Sequence, residues 1–106
     1  MLKPKAVYYD MLRAEGRKHN IGMTITYTVT GFHDHRLTDH NTRRVVYSRV
    51  LNPRQDDYDD RFRHMVVEMM SVITRTPMNL VAIPLQHESN MTSLLNFIKH
   101  PRRSRL

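Results

Sequence analysis

The chain of 106 residues is long enough for one domain and too short for two. Its hydrophobic share of 40% and charged share of 25% are those of a folded globular protein, and no stretch approaches the ~20 apolar residues that cross a bilayer. Cysteine is absent, which excludes disulfides, thiolate nucleophiles, iron–sulfur clusters and cysteine-ligated zinc. The formal charge of +7 is unevenly spread, with its excess near both ends and in the middle of the chain.

The N-terminal stretch MLKPKAVYYDML meets Asp10 and Arg13 before a signal-peptide core could develop. A soluble protein of the cytoplasm is therefore expected. Residues 5–16 form a candidate helix, with Val7, Met11 and Ala14 on one face, Tyr8 and Leu12 flanking it and Gly16 able to end it. Residues 22–32 read as a strand. Met23, Ile25, Tyr27 and Val29 alternate with four threonines, which sends the apolar set to a core and the threonines to the opposite face.

Residues 43–51, RRVVYSRVL, read as a second strand. The polar segment between the two strands is expected to be the long, exposed tip of an antiparallel hairpin. A helix over 55–75 follows from Tyr58, Phe62, Met65, Val66, Met69, Val72 and Ile73, spaced by threes and fours. Asp56, Asp57, Asp59 and Asp60 crowd its first turns, where the helix dipole favours negative charge. Asp57–Arg61 and Asp59–Arg63 are spaced as four-residue ion pairs, and Thr76-Pro77 stops the helix.

Residues 79–85, NLVAIPL, read as a short third strand, and 91–99 as a last helix capped by Ser89 or Asn90 and stopped by Pro101. The expected fold is α+β, a single small domain of order αββαβα. Its three-stranded mixed sheet is an antiparallel hairpin plus one crossover strand, covered by helices. The domain spans 1–100, and 101–106 form a basic tail.

The segment GFHDHRLTDHNTRR concentrates chemistry-bearing residues. His33 and His35 alternate on an extended segment and, with His40, are weak candidates for a metal site using His and carboxylate ligands only. The stretch HDHRLTDH superficially resembles the HxHxDH signature of the metallo-β-lactamase superfamily. Two extra residues separate the second histidine from the Asp-His pair, and that family needs a longer chain with further ligands downstream. No metal and no cofactor is therefore assigned. Turn chemistry by Asp34, Asp39 and Asn41 accounts for the same residues.

Arg36, Arg43 and Arg44, beside His35 and His40, give this segment a second reading as a contact for phosphates. In the tail KHPRRSRL, Lys99, Arg102, Arg103 and Arg105 face no acid within the run. The run DDYDD lacks the alternating oxygens, central glycine and terminal glutamate of a calcium loop, and suits helix capping instead. No serine elbow and no glycine-rich phosphate loop can be written, so no catalytic residue is assigned.

Three functions remain. The first is a small non-enzymatic nucleic-acid-binding protein that uses the tail and hairpin cations, with Tyr8 or Tyr9 stacking on a base if exposed. The second is a protein–protein module: an inhibitor, adaptor or assembly subunit, of the kind viruses encode against host factors. It would bind through a flank of the long helix bearing Val67 and Met70, or through an open sheet edge. The third is a metal-dependent hydrolase centred on His33, His35 and His40. The sequence distinguishes neither DNA from RNA nor one oligomeric state from another.

Overall fold

A computed structural model of the chain describes residues 4–81. It is a small α+β domain in which helices cover one face of a three-stranded sheet, as the sequence pattern implies. The elements are α1 (Lys5–Lys18), β1 (Ile21–Tyr27), β2 (His33–Asp39), β3 (Arg44–Leu51) and α2 (Tyr58–Thr74), followed by a single 3-10 turn at Met78–Leu80.

The sheet differs in detail from the expected mixed one. Among the described residues it is antiparallel, in the order β1-β2-β3, and its central strand is the very segment expected to be a hairpin tip. The residues read as a third strand, 79–85, begin in the 3-10 turn, and their continuation lies outside the described residues. The expected helix 91–99 and tail 101–106 lie outside them too.

β1 ends at Tyr27, short of the predicted 32. Gly31 at φ 94° and the bonds from Gly31 N–H to Thr28 O (3.0 Å) and from Thr28 N–H to Phe32 O (2.9 Å) close a turn there. Val29, expected in the core, stands fully exposed on that turn.

Period-two alternation sorts the faces. Ile21, Met23 and Ile25 of β1, His33, His35 and Leu37 of β2, and Tyr47, Arg49 and Leu51 of β3 share the helix-covered face, as the pairings Met23↔Leu37↔Tyr47 and Ile25↔His35↔Arg49 require. Thr24, Thr26, Arg36, Ser48 and Val50 lie on the opposite face and are exposed. A bulge between Leu37 and Thr38 shifts the register near Val46.

In α1 the buried face is Tyr8, Leu12 and Gly16; Val7 is 40% exposed, so the expected Val7–Met11–Ala14 stripe lies on the helix flank. Steps of four carry the burial, and the large rings outcompete the valine. In α2 the buried set is Phe62, Met65, Val66, Met69, Met70 and Ile73, nearly the predicted stripe. Tyr8 and Tyr9 pack edge-on against Phe62, with ring centroids 5.9 and 5.5 Å away, and join the two helices.

The acids of α2 behave largely as the dipole and spacing predict: Asp57 pairs with Arg61 at 2.8 Å. The expected Asp59–Arg63 pair does not form. Asp59 reaches back to Lys5 of α1 at 2.9 Å, and Arg63 takes Asp60 instead. The Lys5–Asp59 bridge shows that both helices start at the same end of the molecule.

A candidate polyanion interface at one end of the sheet

The opposite end is where α1 finishes, β1 begins and β2 turns into β3. The C-terminal half of α1 carries Arg13, Arg17, Lys18 and His19, and cations in the last turn are favoured by the helix dipole. Asn20, in the left-handed region at φ 59°, turns the chain into β1. Its carbonyl accepts from the His40 amide (3.0 Å), and its side-chain amide donates to Asn41 Oδ1 (2.7 Å), which fastens the β2–β3 turn to the α1–β1 corner.

The turn is tightened further from within. The Asn41 amide donates to Asp39 Oδ1 (2.8 Å), the Arg43 amide to the Asp39 carbonyl (2.7 Å) and the Arg44 amide to Thr42 Oγ1 (3.3 Å). Arg43 holds φ 62°, a conformation that glycine and asparagine adopt more cheaply than arginine.

Both acids at this end are engaged in structure. Glu15 meets Lys18 at 3.1 Å and His19 at 3.5 Å, while Asp39 shapes the turn. Arg13, Arg17, Arg43 and Arg44 make no ion pair among the described residues. A groove of about 280 Å³ runs along β1, a sheet edge among the described residues, and is lined by Arg13, Arg17, Asn20, Ile21, Gly22, Met23 and His40.

The histidines expected to act together are separated. His33 and His35 do share a face of β2, with ring centroids 6.3 Å apart, but that face looks into the protein. His40 lies beyond the other end of the strand, on the order of 20 Å from His33 at ~3.3 Å of rise per residue. No group of three or more His, Cys, Asp or Glu among the described residues is placed to hold a metal ion.

His35 is wholly buried. Its Nδ1 lies 3.3 Å from the Arg49 carbonyl, which can only accept, so Nδ1 carries the proton. Nε2 then accepts from the Tyr9 hydroxyl at 2.9 Å. Burial lowers the imidazole pKa from its ordinary 6.5, outweighing the Arg49 hydrogen bond, so the ring stays neutral. Burial also pushes the Tyr9 phenol well up. His33 has a buried Nδ1 without a partner among the described residues, and packs edge-on against Tyr27 at 4.7 Å.

Beside this row, Glu68 Oε1 accepts from the Tyr47 hydroxyl (2.5 Å) and from Arg49 Nη1 (2.8 Å). Burial, then the Glu68 carboxylate, raises the Tyr47 pKa. For Arg49 burial acts downward, and the bonds to Glu68 and Tyr47 overcome it to leave the guanidinium raised.

Of the cations singled out in the sequence, Arg43 and Arg44 belong to the basic end. Arg36 does not: it lies at mid-sheet on the open face and donates to Asp34 at 3.0 Å. Lys99, Arg102, Arg103 and Arg105 lie outside the described residues. Tyr8 is core, and Tyr9 is bonded to His35, so neither is presented for stacking.

Met70 is buried beneath α2, and Val67 is half-buried in a second groove of about 400 Å³ with Asp60, Arg63, His64 and Met78. The sequence reading passed over Arg13, Arg17 and His40 as a group. The signal was two arginines one helical turn apart with no acid between them on that face.

Set against family models, curated proteins and solved structures, the chain matches none of them. No helix among the described residues is long and apolar enough to cross a membrane.

Proposed function

We propose that this is a small non-enzymatic protein that binds the phosphate backbone of a nucleic acid through its basic end. The observation carrying the reading is the set of four arginines, Arg13, Arg17, Arg43 and Arg44, gathered at one corner without an ion pair among the described residues. Lys18 adds to the same surface. Such a surface attracts polyanions by releasing their condensed counterions.

The turn that bears Arg43 and Arg44 is held by five hydrogen bonds to or within it, so little order has to be gained on binding. The left-handed backbone at Arg43 points the same way: a residue kept in a costly conformation, where glycine would sit more easily, suits a residue retained for its side chain. In this reading Lys99, Arg102, Arg103 and Arg105 supply further phosphate contacts, and Arg36 adds one from the open face. Binding of this type is largely independent of sequence and suits a cysteine-free chain of the reducing cytoplasm.

The test is a titration of a labelled 20-mer oligonucleotide over a salt series, with the wild type and an Arg43→Gly/Arg44→Ser variant. Glycine at position 43 relieves the backbone, so the variant should fold at least as well. Its plot of log affinity against log salt should be shallower by roughly 1.4 to 1.8, two phosphate contacts' worth. A salt-insensitive affinity, or identical slopes for the two proteins, would overturn the proposal.

A second reading has its own observation. Val45, Val46 and Val50 of β3 are 51%, 42% and 55% exposed, and β3 is a sheet edge among the described residues. A protein partner adding a strand there would bind by backbone pairing and valine burial. Co-purification that survives both nuclease and high salt would favour that reading over the first.

A further inference from the structure

We infer that the groove along β1 is a discrete phosphate subsite, in which Arg13, Arg17 and His40 would take one phosphate group of the bound strand. The inference rests on the nucleic-acid reading and makes it specific, since a diffuse basic surface needs no such groove. Arg13 and Arg17 stand one turn apart on α1, where like charges repel. Glu15, between them in sequence, pairs with Lys18 and His19 instead, and Asp10, three residues before Arg13, makes no ion pair among the described residues. An anion between the two guanidinium groups would relieve that repulsion, and guanidinium matches phosphate oxygens in geometry as well as charge.

The opposite wall is made by an absent side chain. Gly22 belongs to the open face of the sheet, and a Cβ there would stand 2.7 Å from His40 Nε2 and 2.9 Å from His40 Cε1. Any other residue at 22 would push the imidazole off the strand. Asn20 ties the two walls together through its bonds to the His40 amide and to Asn41. Ile21 and Met23 complete the lining of the groove, whose side chains otherwise offer guanidinium, imidazole and amide groups and no carboxylate. Tetrahedral oxyanions are what such a donor set recognises.

The phosphate has two sources, an internal diester or a strand-terminal monoester. The experiment uses the full chain, its Arg13→Gln/Arg17→Gln variant and its Gly22→Ala variant. Two 20-mers are compared, with and without a 5′-phosphate, and pyrophosphate is titrated separately with amide chemical shifts of Asn20, Gly22 and His40 as readout.

The double variant should lose roughly tenfold in affinity for the oligonucleotide and lose the saturable pyrophosphate shifts; Gly22→Ala should weaken both while its amide spectrum stays folded. Loss confined to the 5′-phosphorylated strand assigns the monoester, and equal loss on both strands assigns the diester. If both variants bind oligonucleotide and pyrophosphate as the wild type does, while Arg43→Gly/Arg44→Ser fails, the subsite is refuted and the basic end stands. If no oligonucleotide binds the wild type but pyrophosphate still shifts these amides, the nucleic-acid reading fails and the anion site survives.

Discussion

Gly16→Ala is the substitution for which local and tertiary reasoning disagree in sign. Gly16 lies inside α1, where alanine is the better helix former by about 1 kcal/mol. On propensity alone the change should stabilise. The geometry argues the reverse. A Cβ at Gly16 would lie well under 3.0 Å from the Ile21 carbonyl oxygen and 3.4 Å from its carbon, and both are backbone atoms that no rotamer change can move.

To restore contact, the start of β1 must back away from the last turn of α1, which strains the corner that Asn20 and His40 fasten. Overpacking of this kind costs about 1 to 3 kcal/mol. Subtracting the propensity gain leaves a net destabilisation between about 0 and 2 kcal/mol. Urea denaturation followed by circular dichroism measures it, with an unchanged slope required for a two-state comparison. An alanine variant more stable than the wild type by the full propensity gain of about 1 kcal/mol would refute the claim that α1 packs this closely on β1.

Two further outcomes follow from the buried polar row. Because the folded state keeps His35 neutral while an unfolded chain protonates it below about pH 6.5, unfolding takes up a proton in acid. His35 should therefore make stability fall as pH drops below 6.5, by up to ~1.4 kcal/mol per pH unit, and His35→Phe should flatten the pH dependence by that amount while lowering stability near pH 8. Parallel pH profiles for the two proteins would contradict it. Glu68→Ala leaves the Tyr47 hydroxyl and the half-buried Arg49 guanidinium without their shared acceptor, which should cost about 2 kcal/mol in the same denaturation assay. A loss under 0.5 kcal/mol, the range of a plain surface change, would mean water replaces the carboxylate freely.

The misreading of residues 33–39 shows where sequence reasoning stopped. HDHRLTD does alternate with period two, but its inward residues are His33, His35 and Leu37, and imidazole does not register as apolar. Only the fold supplies what makes it so: a Tyr9 hydroxyl from α1 and an Arg49 carbonyl from β3, which together satisfy both nitrogens of His35. The same limit hid Tyr47 and Arg49, whose inward orientation depends on Glu68 one helix away. α2 was legible down to nearly all its buried residues because its burial needs only spacing. α1 and β1 were legible as elements but not in their inward residues, since Tyr8, Leu12 and Gly16 and not the Val7 stripe are buried and Val29 lies on a turn. The basic end was half legible. Arg43 and Arg44 stood out as a pair, but Arg13 and Arg17 joined them only through the α1–β1 corner, which no local pattern announces.

Helix electrostatics alone would already polarise this molecule. α1 and α2 begin at the same end, so dipole preference puts acids there and bases at the other. That rule does not account for how the charges are neutralised. At the acidic end Asp57, Asp59 and Asp60 each have a cation, supplied by Arg61, Lys5 and Arg63, while Asp56 makes no ion pair among the described residues. At the basic end Arg13, Arg17, Arg43 and Arg44 have none among the described residues. The last turn of α2 holds no basic residue, but Arg75 caps its C-terminus. Arg13, Arg17, Arg43 and Arg44, on α1 and the β2–β3 turn, are the cations left for the external anion that the proposed function requires.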